Sequence, residues 1–259
     1  MKRIFALLLA LLMLCTMVAC SRDEDEKEDD TDLTVVTEHQ TYTDPDSVYK
    51  DCFEYEIING NEVAIVGFSS AYDLHEVKIP DKIVGCPVVK IADSAFYQCS
   101  QLTGIAIPAT VEEIGAMAFA GCVQLEQVTF AIADVKLTAI GDYAFATCVE
   151  LGMIELPETL TALGEGAFYQ CITLEFAVLP QGITEIKQMT FMGCAGMVAA
   201  ASNNVETIGD YAFCGCANLE SVTIPAGVLK QVGKYGFSGC KKLPVITDSG
   251  VTLGENAFS

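Results

Sequence analysis

Tryptophan is absent from this 259-residue chain, histidine occurs only at His39 and His75, and 14 basic residues face 35 acidic ones. Two isolated histidines cannot supply the clustered ligands of a zinc site, and no Ser or Cys has an evident His partner for nucleophilic catalysis. Neither a phosphate-cradling glycine loop nor a glycine-turned Asp-x-Asp calcium loop occurs. A net charge of −21 repels nucleic-acid backbones and anionic headgroups, and Lys241-Lys242 is only a local basic pair. These deficits argue against nucleic-acid binding. They leave no set of residues for an enzyme, a metal site or a cofactor.

Apolar residues are plentiful but unevenly spread. Lys2-Arg3 precede an apolar run from Ile4 to Leu14, and Cys15 to Cys20 follow. A basic head, a short apolar stretch and small residues before a break describe a secretory leader. The run is short for a membrane-spanning helix and has no basic stop beyond it. Met17-Val18-Ala19-Cys20 resembles a bacterial lipobox, with Met17 where that motif usually has Leu. The resemblance implies that residues 1–20 are a lipoprotein signal, that Cys20 becomes the mature amino terminus, and that Cys20 carries the lipid. Two acyl chains would hold the protein on a membrane that its own surface does not otherwise favour. Without Lys2 and Arg3 the basic residues fall to 12 against 35 acidic, a balance of −23.

From Ser21 to Asp30 the chain is almost wholly charged and largely acidic, and polar residues continue to about Asp46. Like charge at this density opposes collapse, so residues 21–48 read as an acidic, disordered tether. Cys20-Ser21-Arg22-Asp23-Glu24 resembles the export signal of Bacteroidetes surface lipoproteins, while the leader equally resembles those of Gram-positive lipoproteins. Both resemblances imply the outer surface of a bacterial cell.

Residues 49–90 read as an amino-terminal cap and half-repeat. Phe53, Tyr55 and Ile57 alternate with acidic residues, Asn59-Gly60 offers a tight turn, and Val63, Ile65 and Phe68 supply a returning strand. From there the chain repeats itself through residues 91–259. Phenylalanines recur at 96, 119, 145, 168, 191, 213, 237 and 258, and in each complete unit a Cys follows three residues later. Leu102, Ile105 and Ile107 belong to a short strand that Pro108 ends. Ile114-Gly115 marks a second extended piece and a bend, and Ala118-Phe119-x-x-Cys122 fits one helical turn with Phe and Cys facing inward. No single unit can bury these residues, so coils must stack. With strands about 4.8 Å apart, eight coils make a rod of roughly 40 Å.

The template strongly resembles the BspA-type leucine-rich repeat of bacterial and some protist surface proteins, over about residues 68–259. The stretch from Pro80 to Ile91 resembles the segment that leads into such arrays. The resemblance implies a β-rich α/β solenoid of about eight coils of ~23 residues, each with a short strand and one helical turn, and an amino-terminal hairpin cap. Three units depart from the template. The second has Ala131 in place of the strand-ending Pro, with extra residues around Ile132 to Asp134. The fifth reads Met197-Val198-Ala199-Ala200-Ala201-Ser202-Asn203 where Leu-x-x-Val-x-Ile-Pro is expected. The last breaks off at Ala257-Phe258-Ser259, as in an array that continues beyond it.

Twelve cysteines in a secreted chain invite disulfides, but Cys99, Cys122, Cys148, Cys171, Cys194, Cys216 and Cys240 fall in one inward column of seven. They read as free, buried, apolar fillers. Cys52 and Cys86 form a candidate bridge before the array, and Cys214 is the array thiol expected to be most exposed. Tyr143, Tyr211 and Tyr235 are expected to form a structural surface ridge.

Residues one, two and four places after the Leu position of each strand should point outward. Most are polar. Met153, Phe176, Val178, Val198, Ala199 and Ala201 instead make an apolar patch over three strands, with Glu126, Glu155, Glu175 and Glu220 around it. The reading is a membrane-anchored cell-surface lipoprotein whose patch binds protein. The family resemblance implies adhesion to host matrix or cell-surface proteins. The alternative is a structural spacer or envelope component without a soluble ligand.

Overall fold

The computed structural model describes residues 40–41, 51–69, 74–245 and 250–259. The leader, Cys20 and all of the acidic tether except Gln40 and Thr41 lie outside the described residues.

The alternating residues of the cap form the expected hairpin. β2 (Phe53–Ile58) and β3 (Glu62–Phe68) pair antiparallel, with a register shift between Glu54 and Tyr55. Asn59 and Gly60 turn the chain at φ 52° and 80°, left-handed values that Asn and Gly tolerate best. On the outer edge, β1 (Gln40–Thr41) pairs antiparallel with β2, so this part of the expected tether is a strand. On the inner edge, β3 runs parallel to β6 (Cys86–Ile91), which merges the cap with the solenoid. β5 (Lys82–Ile83) folds back antiparallel on β6.

Each later coil gives strands to two parallel columns. The first column holds β4 (Glu76–Lys78), β7 (Gly104–Ile107), β9 (Gln127–Phe130), β11 (Met153–Ile154), β13 (Phe176–Leu179), β15 (Ala199–Ser202) and β17 (Ser221–Thr223). The second continues from β6 through β8 (Glu113–Ile114), β10 (Ala139–Ile140), β12 (Ala162–Leu163), β14 (Glu185–Ile186), β16 (Thr207–Ile208), β18 (Gln231–Val232) and β19 (Thr252–Leu253). Equivalent residues align, so Val77, Ile105, Val128 and Ile154 lie side by side and buried.

The third side of each coil differs in detail from the sequence expectation. Instead of a regular helical turn, the segment around Phe and Cys is a run of tight turns bracketed by left-handed residues four apart, such as Met117 (φ 56°) and Gly121 (φ 78°). Alternate amides bond within the coil and to the next one. Ala120 N–H donates to the Met117 carbonyl at 3.0 Å, whereas Phe119 N–H donates to the Ala144 carbonyl at 2.7 Å. The i, i+3 spacing of Phe and Cys fits either geometry. Cross-coil bonding selects the turns, because it satisfies amides that an isolated helical turn leaves without partners.

Inside, the phenylalanines stack. From Phe68 through Phe96 and the array to Phe258, neighbouring ring centroids are 4.9 to 5.6 Å apart. Phe96 to Phe237 are fully buried. The expected ridge forms only in part: Tyr211 and Tyr235 stack at 5.1 Å, while Tyr143 is set apart from them by the coils of Gly166 and Met189 and donates to Glu165 at 3.2 Å.

A column of glycines sets how closely the coils approach. A Cβ on Gly164 would overlap the Gly141 carbonyl, and Gly115, Gly141, Gly209, Gly233 and Gly254 lie equally close to the coil before them. The fifth coil has Lys187 at this position. There both ladders are interrupted: β11 does not ladder with β13, nor β12 with β14, although Glu175 N–H still bonds the Gly152 carbonyl at 3.0 Å. Gly164 N–H bonds the Ile140 carbonyl at 2.8 Å and Gly209 N–H the Ile186 carbonyl at 2.7 Å. Among the described residues no equivalent bond joins Lys187 to Leu163. The turn side still bridges the seam through Phe168 N–H to Thr190 and Gln170 N–H to Met192. The gap coincides with the long side chain of Lys187, where six other coils have glycine and the first, with Ala92, still bonds the Ile65 carbonyl at 2.8 Å.

Candidate functional site

The first strand column forms an open face, and the pleat decides what it shows. Along β13, Ala177 and Leu179 point into the core while Phe176 and Val178 remain 45% and 67% exposed. Met153, on β11 across the seam, is 59% exposed. Phe176 lies beside Ala199, and Val178 beside Ala201. Val198, Ala199 and Ala201 are half-buried, so the small residues of the fifth coil let Phe176 and Val178 stand clear of the surface. All six patch residues thus occupy the outer face, with exposed Glu126, Glu155, Glu175 and Glu220 around them. Glu220 pairs with Lys242 at 3.2 Å.

The unusual fifth strand holds because its inward positions are filled. Met197 and Ala200 are buried where Leu and Val stand elsewhere. Ser202, buried where Ile or Leu ends the strand in most other coils, accepts from the amides of Asn204 and Val205 at 3.2 Å and turns the chain at Asn203, the place of the missing Pro.

An open groove of about 990 Å³ lies next to the patch, and sequence reasoning missed it. Strand β9 pairs with β7 as far as Phe130, but its ladder to β11 ends at Val128 and Ile154. Beyond that point the two coils part, because the extra residues around Ile132 to Asp134 lead the chain away and Ala131 replaces the strand-ending Pro. Phe130, Val135 and Leu156 line the groove as half-buried apolar residues, and Ile132 is fully exposed at its rim. The insertion was the available signal; which wall it would open was not written in it.

The array cysteines from Cys99 to Cys240 are free thiols, and all are buried except Cys214, which is half-buried. Burial pushes the pKa of Cys99 up to about 11 and those of Cys148 and Cys194 up to about 12. Burial raises Cys122 and Cys171 as well. They are poor nucleophiles. His75 Nδ1 lies 3.1 Å from the Gln101 carbonyl. Among the described residues no three His, Cys, Asp or Glu side chains gather as a metal site, and no helix is long and apolar enough to cross a membrane.

The signature of the BspA-type leucine-rich-repeat region matches residues 61–198 and 199–259, in six copies. The chain belongs to this family. BspA-type repeats occur in bacterial surface proteins, generally act as protein-interaction modules, and are typically non-enzymatic scaffolds. The chain is similar to the leucine-rich-repeat protein of T. pallidum at 29% identity and a TM-score of 0.68, covering 74% of this chain and 88% of that one. It is similar to a leucine-rich-repeat protein of Bacteroides ovatus at 29% identity and a TM-score of 0.60, over 82% of this chain and 62% of that one. A leucine-rich cell surface protein of Faecalibacterium prausnitzii is 26% identical with a TM-score of 0.59, over 80% of this chain but 50% of that one. A comparison with curated proteins gives no significant match.

Proposed function

We propose that this BspA-type protein is a bacterial surface lipoprotein, anchored through lipid on Cys20, that binds a protein ligand on its first strand column as an adhesion module. The observation that carries the reading is Phe176 and Val178 standing exposed, side by side, on a strand whose backbone is fixed from both inside and below. Apolar residues with an acidic rim have the composition of a protein-interaction surface, and an aromatic side chain on a rigid support is the usual anchor. Host matrix and cell-surface proteins are the ligand class that this reading favours.

The test is the double variant Phe176→Ala with Val178→Ser, assayed by capture of matrix proteins and by thermal melting. Capture should be lost while the melting midpoint barely moves. Undiminished capture would sink the patch as the binding surface. A large drop in the midpoint would place these side chains in the core instead.

A further inference from the structure

The groove between the second and third coils offers more chemistry than the patch beside it. Four carboxylates line it: Glu126, Asp134, Glu155 and Glu158, all exposed. No lysine or arginine is among its lining residues. Among the described residues, the array's ion pairs engage Glu112, Glu113, Glu206 and Glu220, and none of these four. Between the acids lie apolar surfaces, chiefly Phe130 and Leu156, half-buried and packed on the core below. Along the β9 wall, Thr129 and Phe130 have strand partners on the β7 side and none on the β11 side. The groove therefore combines an uncompensated acidic rim, an apolar floor and a strand edge open towards the gap.

We propose that this groove takes a basic segment of a partner protein, with Lys or Arg side chains meeting the four carboxylates and an apolar side chain seated between Phe130 and Leu156. The proposal rests on the reading of the first strand column as a protein-binding face and names the partner chemistry for one part of it. Charge complementarity selects a cationic occupant: like charges gathered at one groove favour an ion of opposite sign, while an acidic segment would be repelled. The apolar floor selects against a polyamine or a free metal ion, which would leave Phe130 and Leu156 in water. A segment of protein supplies charges, an apolar anchor and backbone groups for the open strand edge together.

The test uses the mature protein and short fluorescent peptides in which Lys alternates with Leu, Glu with Leu, or Lys with Ser, read by anisotropy. The Lys/Leu peptide should bind, the Glu/Leu peptide should not, and the Lys/Ser peptide should bind about tenfold more weakly for want of an anchor. Glu126→Gln, Asp134→Asn, Glu155→Gln and Glu158→Gln together should weaken Lys/Leu binding by about tenfold or more, and so should raising salt from about 50 mM to about 500 mM. A charge-matched control carrying Glu112→Gln, Glu113→Gln, Glu185→Gln and Glu206→Gln on the second strand column should retain binding. Equal losses in the two quadruple variants would assign the attraction to net charge and overturn the proposal, as would equal binding of the Lys/Leu and Glu/Leu peptides. Phe176→Ala with Val178→Ser separates the two readings. If matrix-protein capture depends on that pair and not on the groove acids, the groove assignment fails and patch recognition stands. If capture depends on neither, both fail.

Discussion

The thiol of Cys171 donates to the backbone carbonyl of Phe145 in the preceding coil, with Sγ 3.1 Å from the oxygen. Cys122, Cys148, Cys194, Cys216 and Cys240 repeat the contact, each reaching back to a Phe carbonyl at 3.1 or 3.2 Å. The column is therefore a series of donors stitching each coil to the one before, as well as apolar filling.

Replacing Cys171 by Ala should cost about 1–2 kcal/mol, since it removes the cross-coil bond to the Phe145 carbonyl, which keeps only the Cys148 N–H at 3.2 Å, and leaves a small void. Cys171→Ser keeps a donor and should cost less. Urea unfolding of the two variants decides, and equal losses would reduce the thiol to packing alone.

The same thiols set an alkaline limit. Burial raises the pKa of Cys122, Cys148, Cys171 and Cys194 above the ordinary 9.0, to about 12 for Cys148 and Cys194. The unfolded chain then loses these protons first as pH rises, so the stabilisation is complete below about pH 9 and fades above it. Thermal midpoints measured from about pH 8 to about pH 11 should fall across that window. A flat profile would contradict the shift.

Phe168 stacks on Phe145 at 5.6 Å and on Phe191 at 5.5 Å, with no exposure to solvent. Phe168→Ala should destabilise the fold by about 3–5 kcal/mol, because the cavity it opens is shared by two neighbouring coils. Denaturant titration measures the loss.

Gly164→Ala should be costly despite its small size, because the new Cβ overlaps the Gly141 carbonyl and forces the coils apart. The reverse change, Lys187→Gly, should let its amide reach the Leu163 carbonyl. The gain of about 0.5–1.5 kcal/mol is nearly offset by glycine's entropy, so overall stability should hardly change. Hydrogen exchange at residue 187 should nevertheless slow, and unchanged exchange would separate the seam from the side chain.

Lipidation at Cys20 is tested by detergent partitioning. The wild type should enter the detergent phase, whereas Cys20→Ala should lose the anchor and accumulate as precursor. Equal partitioning of the two would end the lipoprotein reading.

The parts of this architecture that recur were legible in the sequence. Phe119 with Cys122, and Leu102 with Ile105, recur in register, and a repeated pattern of apolar residues has one economical solution, a stacked core. The outward facing of Phe176 and Val178 followed from strand alternation alone. What recurs in type but depends on the neighbouring coil was harder to read. Cross-coil amide bonds, and thiols aimed at main-chain oxygens, leave no mark in side-chain spacing. The exceptions were visible as letters and opaque as shapes: Lys187 breaks a glycine column whose purpose shows only when two backbones are placed together, and the residues after Ala131 open a groove whose wall belongs to another coil. Gln40 and Thr41 lie among polar residues that follow the acidic run, so composition pointed away from a strand.

The seam at Lys187 also bears on how the surface meets a ligand. At this boundary the strand columns lack ladders, and on the patch side Glu175 N–H to the Gly152 carbonyl at 3.0 Å still joins the two coils. Met153 stands on one side of that join, and Phe176 and Val178 on the other. A ligand covering all three spans two separately laddered blocks, so its own contacts add a tie where the strand faces are least bonded together.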